Sequence, residues 1–375
     1  MTLMPFKLER YFARYEFSTE LLLCSSDVEG MPMRELLALA DDQSRALWDT
    51  LSLGYTESTG HPLLRDEIAQ LYDHTRADQI IVTNSGEEPI YIAMRALLQA
   101  GDHVIVVWPG YQSHTEIARS MGAEITLLPV RPMAGASGAL RWMIDLDELR
   151  LALRPNTRLI VSNFPHNPTG AQPTRAEFDV IAQLAASRNA YWLSDEVYRF
   201  LEYAPADRLP AAADVYERAI SIGAMSKSFA MAGLRIGWAA SRDATFMARL
   251  QHYRDFTTIC SSAPSEILAL MALRARAAVL TRTWDIVRRN LTLAQPFFET
   301  HATVFDWTPP SAGSVAFPRL RTGDVEAFAN ALVTRYNTLI LPASVFDYPH
   351  PHFRIGLGRN NFPLALERLG RLVTA

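Results

Sequence analysis

Between Ile80 and Gly223, short apolar runs alternate with amphipathic stretches, and this rhythm narrows the possible fold more than any single motif. Ile80-Ile-Val-Thr83 reads as a strand, 89–99 as a helix closed by Gly101, and Val104-Ile-Val-Val107 as the next strand. The spacing then predicts a helix over 115–121 stopped by Gly122, extended chain over 125–128, a helix over 146–153 and a strand over 159–162. Helix 175–188 and strands 191–194 and 220–223 complete the series. Strands that are apolar throughout and separated by helices are buried on both faces. The expected class is therefore α/β, with a mostly parallel central sheet covered by helices.

The flanking regions break this rhythm. Residues 1–50 read as an arm and a helix over 33–48; a turn-rich loop carrying Tyr55 then feeds a helix over 62–74, with Pro62 in its first turn. Beyond Asp243 come long helices over 244–256 and 264–301, the second too long to be straight without a break. Strands over 315–318, 338–341 and 353–356 and helices over 324–336 and 363–372 suggest a smaller α+β layer. The expected division is 1–50, an N-terminal arm and part of a small domain; 51–260, a large domain; and 261–375, the rest of the small domain with a long connecting helix. The stretch 131–141, with Pro132, Gly135, Ser137 and Gly138, reads as a surface connection.

Composition excludes some partners. A formal charge of -4 and a pI near 6.2 provide no broad basic field, which argues against nucleic acid. No run approaches the roughly 18 apolar residues a membrane span needs, and the charged and aromatic start does not resemble a signal peptide. Cys24 and Cys260 cannot form a disulfide framework and lack metal-ligand spacing, so a cytoplasmic protein without a metal is expected.

Ligands of open α/β sheets gather at the carboxyl ends of the strands, so the residues there carry the functional reading. After strand 80–83 comes Asn84-Ser85-Gly86-Glu87-Glu88-Pro89, a helix start whose free N–H groups suit a phosphate or a plain cap; its two glutamates suit a cap and oppose an anion. Trp108-Pro109-Gly110-Tyr111 offers an aromatic ring for stacking or for the core. Asn163-Phe-Pro-His-Asn167-Pro-Thr-Gly170 is a rigid turn with an amide donor, and Asp195-Glu-Val-Tyr198 places a carboxylate at a strand end. After strand 220–223, Ser226-Lys227-Ser228 leaves a lysine at a strand mouth, with Arg235 suited to a phosphate. Such a lysine fits Schiff-base chemistry with an aldehyde, and Ser-Lys-Ser alone also fits a surface loop. A P-loop is excluded because Ser221 and Ser226 stand where glycine is required.

In order, Tyr111, Asn167-Pro-Thr-Gly170, Asp195-Glu-Val-Tyr198, Ser226-Lys227, Arg235-Ile-Gly-Trp238 and Phe353-Arg354-Ile-Gly356 resemble the class I/II aminotransferases of pyridoxal-phosphate fold type I. The likeness spans almost the whole chain. More loosely, Phe164-Pro-His-Asn-Pro-Thr-Gly170, Arg254-Asp-Phe-Thr-Thr258 and Gly313-Ser-Val-Ala-Phe-Pro318 are similar to the capreomycidine synthase branch.

The resemblance implies pyridoxal 5'-phosphate as cofactor, amino-acid and 2-oxo-acid substrates, and a homodimer with shared sites. Lys227 would carry the Schiff base and move the Cα proton. Asp195 would face the pyridine nitrogen, Asn167 and Tyr198 the ring oxygen, and Tyr111 the ring face. Phosphate would fall to Ser85, Gly86, Glu87, Ser226, Arg235 and, across the dimer, Tyr55. Arg354 would clamp the substrate carboxylate beside Gly30 and Asn167. In two respects the chain departs from the family pattern. Glu87 must turn its side chain away from phosphate, and Ser25-Ser-Asp27-Val-Glu29-Gly30 is not the common loop. A cis peptide is expected at Asn167-Pro168.

The main functional reading is an aminotransferase. The alternative keeps the cofactor for elimination, replacement or cyclisation, and the sequence does not separate the two sharply. A non-catalytic regulator lacks a basic DNA-reading segment before Tyr55, and Gly356-Leu-Gly358-Arg-Asn-Asn361 does not fit a dinucleotide fingerprint.

Overall fold

The computed structural model describes residues 3–135 and 138–374. Eight strands form the main sheet: β1 Ile80–Thr83, β2 His103–Trp108, β3 Glu124–Ala134, β4 Leu140–Ile144, β5 Thr157–Asn163, β6 Tyr191–Asp195, β7 Ala219–Ala224 and β8 Gly237–Ala240. Their order is β1-β8-β7-β6-β5-β2-β3-β4. The run from β7 through β6, β5 and β2 to β3 is parallel, while β8 lies antiparallel between β1 and β7 and β4 is an antiparallel edge. Every residue of β1, β6, β7 and β8 is buried, as strands covered on both faces require.

Local chemistry sets the helix starts. Thr174 and Glu177 form a reciprocal capping box for helix Arg175–Ser187, and Asp243 caps Ala244–Arg254 by accepting from the Phe246 amide. The helix expected over 33–48 is broken into Met33–Ala38 and Asp42–Asp49, because the Asp41 side chain accepts from the Ser44 amide and starts a new helix. The long C-terminal helix breaks, as anticipated, at Ala275, between Ala263–Arg274 and Arg276–Thr300.

The stretch 131–141 is not a simple surface connection. Strand β3 continues to Ala134 and pairs with β4 in a hairpin from Val130↔Ile144 to Ala134↔Leu140, burying Trp142 at 1% exposure. Proline and glycine made it resemble a loop, yet an edge hairpin tolerates Pro132 because no further strand needs its N–H. Ser137 lies outside the described residues.

A smaller sheet places Phe353–Gly356 between Val315–Ala316 and Leu341–Pro342, and Leu21–Leu22 pairs in parallel with Thr338–Leu339. Residues 338–341 therefore serve two different partners instead of one strand. The chain start returns here. The Gly356 amide donates to Leu23 O at 2.6 Å, and a side chain at Gly356 would collide with the Ser25 backbone. That contact lays Ser25–Asp27 across the carboxyl ends of the main sheet.

A second close approach lies on the opposite wall. Any Cβ at Gly237 would overlap the Ser85 carbonyl and sit 2.7 Å from the Gly86 nitrogen. Backbone cannot yield as a flexible side chain does, so overpacking here costs about 1–3 kcal/mol. Gly237→Ala is therefore expected to lower the thermal midpoint and weaken binding of anions at Ser85–Glu87. Calorimetric unfolding with and without pyridoxal phosphate checks both, and an unchanged ligand-induced shift would contradict the second.

Candidate active site

The carboxyl ends of β1, β5, β6 and β7 open into a cavity of about 400 Å³ lined by Ser85, Gly86, Glu87, Tyr111, Asn167, Asp195, Tyr198, Ser226, Lys227, Arg235 and Arg354. Asp195 ends β6 opposite Asn163 in the β5 register and is 5% exposed. Its Oδ2 lies 3.2 Å from His114 Nε2, which makes no hydrogen bond among the described residues. The Val197 amide donates to Oδ1 at 3.3 Å. Tyr111 meets the His114 ring edge-on at 5.9 Å.

The rigid turn after β5 is tied to the same carboxylate strand. Asn163 donates from Nδ2 to Asp195 O at 2.8 Å and accepts the Asn167 amide at 2.9 Å. The Asn167-Pro168 peptide is cis, as expected. His166 is fixed by Thr169 Oγ1 at 2.8 Å, and burial pushes its imidazole down to about 3, leaving it neutral. The Asn167 Oδ1 accepts from Arg354 Nη1 at 2.9 Å, while Arg354 Nε donates to Cys24 O at 3.0 Å.

Lys227 follows β7 in a turn closed by Met231 N to Met225 O at 2.9 Å. Ala230 and Arg235 adopt left-handed backbone with φ of 55° and 54°. The Ser228 hydroxyl bonds to the Val197 and Arg199 carbonyls, which fixes the turn from behind. Lys227 Nζ donates to Ser26 Oγ at 2.9 Å and stands 5.9 Å from the Tyr198 ring centroid.

Ser85, at a φ of 97°, begins the cradle, and its Oγ accepts from the Glu87 amide at 3.2 Å. The Glu87 carboxyl is turned to the Ser113 hydroxyl and the Tyr111 phenol; burial raises its proton affinity. Glu88 is also occupied, accepting from the Asn84 amide and from Thr257 and Thr258 at 2.7, 2.7 and 2.6 Å. Thr257 and Thr258 face Glu88 and do not line the cavity.

Two expected residues lie elsewhere. Gly30 is exposed, does not line the cavity, and its carbonyl accepts from Arg282 Nη2 at 3.3 Å; Ser25 and Ser26 occupy the corresponding wall. Tyr55 is 93% exposed and outside the cavity of its own chain. Sequence reading missed Ser26, Asn163 and the helix Lys7–Tyr15, which covers the cavity with Leu8 and Phe12. Its apolar spacing within the arm was the available signal.

The buried Tyr198 hydroxyl and Arg354 Nη2 have no partner among the described residues. Facing a cavity with a lysine amine, a carboxylate and a helix start, these donors fit a ring oxygen and a carboxylate, as the donor set for pyridoxal phosphate and an amino acid requires.

The family model "Aminotransferase class I and II" matches residues 18–365. The chain belongs to this aminotransferase family. Capreomycidine synthase of Streptomyces vinaceus is 29% identical, with 97% of this chain and 95% of that protein covered. The probable N-succinyldiaminopimelate aminotransferase of Mycobacterium tuberculosis (strain ATCC 25618 / H37Rv) is 31% identical, with 77% and 73% covered. Among solved structures, a PLP-dependent aminotransferase from Streptococcus suis 89-1591 superposes with a TM-score of 0.92 at 28% identity, covering 100% of this chain and 98% of that one. The PLP-dependent cyclase OrfR gives 0.89 at 28%, also with 100% and 98% covered. The fold is that of PLP-dependent aminotransferases, and the cofactor of this aminotransferase is pyridoxal phosphate.

The aminotransferase loop that carries Tyr55 is anchored below the surface. Thr56 Oγ1 donates to Ser261 O at 3.0 Å, and the His61 amide donates to Glu266 Oε2 at 3.3 Å. Glu266 is 1% exposed, and burial moves its carboxyl from 4.5 up to about 7. Between those values the native state holds a proton that the unfolded chain has released, so stability falls as pH rises through this window, by on the order of 3 kcal/mol in all. Denaturant unfolding at pH 5 and pH 8 is expected to show that loss in the natural protein and a much smaller one in Glu266→Gln. Equal pH dependence in both would contradict the assignment.

Proposed function

We propose that Lys227 is the attachment point for pyridoxal phosphate in an enzyme that moves an amino group from an α-amino acid to a 2-oxo acid. The observation that carries this reading is the Lys227 amine opening onto a cavity shared with Asp195 and two unpartnered buried donors, Tyr198 Oη and Arg354 Nη2. When bound, the cofactor supplies an electron sink for the negative charge that develops at the substrate Cα.

The remaining work falls to the chain. Asp195, backed by His114 and by the Val197 amide, would hold the protonated ring nitrogen. Asn167 and Tyr198 would bond the ring oxygen, and Tyr111 would cover the ring face. Ser85, Gly86 and Glu87, through backbone N–H groups, with Ser226 and Arg235, would hold the phosphate. The Lys227 Nζ, steadied by Ser26, would be the base that takes the proton from the substrate Cα. Arg354 would bind the substrate carboxylate with the nitrogen left free by Asn167 and Cys24 O.

A second copy of the chain supports this site. Leu53, Tyr55, Phe256 and Ile259 are 85%, 93%, 80% and 52% exposed, and the Thr56–Ser261 bond sets their two loops side by side. A homodimer covering this apolar face and lending Tyr55 to the partner's phosphate accounts for both features. Cys24 and Cys260 are free thiols, in keeping with a cytoplasmic setting.

The full-length likeness to a capreomycidine synthase and to a cyclase favours one alternative, a cyclisation on the same cofactor. Adding an amino donor alone separates the two. Transamination converts the bound cofactor to pyridoxamine phosphate and releases a 2-oxo acid, whereas cyclisation regenerates the aldehyde. Chromatography of the released cofactor reads the result, with Lys227→Ala expected to abolish the conversion. If a broad panel of amino donors leaves no pyridoxamine phosphate, the transaminase reading fails. Arg354→Lys loses the planar fork and is expected to lower kcat/KM by about ten- to hundred-fold, corresponding to roughly 1.5–3 kcal/mol for a charge-assisted bond. A steady-state profile with unchanged kcat/KM would remove Arg354 from the clamp.

A further inference from the structure

A second cavity, of about 820 Å³, opens between the β3–β4 hairpin and the C-terminal region and shares no lining residue with the cavity around Lys227. Its volume falls in the range of small-molecule sites. The hairpin supplies Arg131 and Trp142. Phe305–Asp306, paired antiparallel with Arg319–Leu320, and the segment around His352, bridged to Arg319, supply the rest.

The inner surface is aromatic. Trp142 meets the His352 ring edge-on at 5.7 Å, His352 stacks on Phe317 at 5.0 Å, and Tyr348 lies 5.2 Å from His352. Faces and edges disposed in this way suit a planar ring. One donor among them is unused. Trp142 is 1% exposed, and its Nε1, which can only donate, has no partner among the described residues. A buried N–H without an acceptor is costly, and an acceptor on a ligand would relieve that cost.

The charges narrow the ligand further. Arg131 is paired with Glu148, whereas Arg319 and Arg321 share a single carboxylate, Asp306, at 3.3 and 2.8 Å. That leaves one guanidinium charge in excess. Glu299, the other carboxylate of the lining, is exposed and engaged by the Gln295 amide. Burial, with His350 and Arg319 beside it, pushes the His352 imidazole down to about 3, so this ring adds no charge. The Tyr348 phenol lies in the field of Arg131 and Arg319. A monoanion matches the surplus charge and the free N–H together, whereas the several negative charges of a nucleotide exceed it.

We propose that this cavity is a second ligand site, for an aromatic carboxylate whose ring lies among Trp142, Phe317 and Tyr348 and whose carboxylate accepts from Trp142 Nε1 and Arg319. It stands independently of the roles assigned around Lys227. A charge-assisted bond to Arg319 favours the carboxylate over a neutral amide of the same shape by about ten-fold or more.

Calorimetric titration of the holoenzyme with indole-3-acetate and with its neutral isostere indole-3-acetamide tests the site. Indole-3-acetate is expected to bind once per chain and about ten-fold or more tightly than the amide. Trp142→Phe keeps a ring and removes the N–H, and Arg319→Gln removes the charge at an exposed position that folding does not depend on. Each should weaken indole-3-acetate by about ten-fold. Arg354→Lys, which alters the other cavity, should leave this binding in place. Absence of saturable binding, equal affinity for the amide, indifference to both Trp142→Phe and Arg319→Gln, or loss of binding in Arg354→Lys overturns the proposal.

Discussion

The constraint on which the rest depends is a guanidinium held almost entirely out of water. Arg354 sits in the last strand of the small sheet, and a buried cation of this kind costs several kcal/mol unless its donors find acceptors. Burial pulls its proton affinity down, yet an arginine keeps its charge, so acceptors are obligatory. One comes from Cys24 in the N-terminal segment and one from Asn167 in the large-sheet turn. A single side chain thereby fastens together three segments distant in sequence. The donor left over, Nη2, has no partner among the described residues, and in the proposed function a substrate carboxylate would recover the cost of its burial. On the proposed role of Arg354, affinity for the substrate and the assembly of the small sheet on the large one would be two outcomes of the same contact.

Backbone proximity makes that assembly possible. Gly356 lets the chain start pass directly over the last strand, and Gly237 lets the cradle loop pass directly over β8. In both places a β-carbon would displace main chain, the least compliant neighbour available. The walls of the cavity are thus set by main-chain contact, and side chains such as Lys227 and Tyr198 can stay unpaired or weakly paired without blurring its shape. Asn163 extends the logic by bonding at once to Asp195 and Asn167. The Asp195 main-chain carbonyl, the two asparagines and the arginine form one hydrogen-bonded line across the floor.

Much of this was legible in the sequence because it follows from local periodicity. Strand ends are read from runs such as Leu159-Ile-Val-Ser162, and the residue after each run necessarily lies at the carboxyl edge where ligands bind. Asp195, Asn167 and Lys227 were placed in one cavity on that ground. Gly30 was assigned by resemblance to a loop this chain does not share, and Ser25 and Ser26 take its wall instead. The 131–144 hairpin was hidden by Pro132 and two glycines, whose turn preference was overridden by pairing at the sheet edge and by burial of Trp142. Contacts set purely by tertiary approach were not legible at all. Nothing local says that His114 faces Asp195, or that Glu9 and Glu16 look into the same cavity as Arg354.

Glu87 shows how an unfavourable residue is accommodated. A carboxylate in the first turn of a helix interacts well with the helix dipole but opposes any phosphate bound at the same terminus. The conflict is relieved by direction. The carboxyl swings to Ser113 and Tyr111 while the Glu87 amide stays at the cradle, next to the Ser85 hydroxyl. Burial raises the proton affinity of that carboxyl. The same turn brings the Glu87 carboxyl towards the Tyr111 phenol, whose ring also meets His114 edge-on. The side chain that seemed to argue against a phosphate is thus turned away from the proposed cradle and held by Ser113.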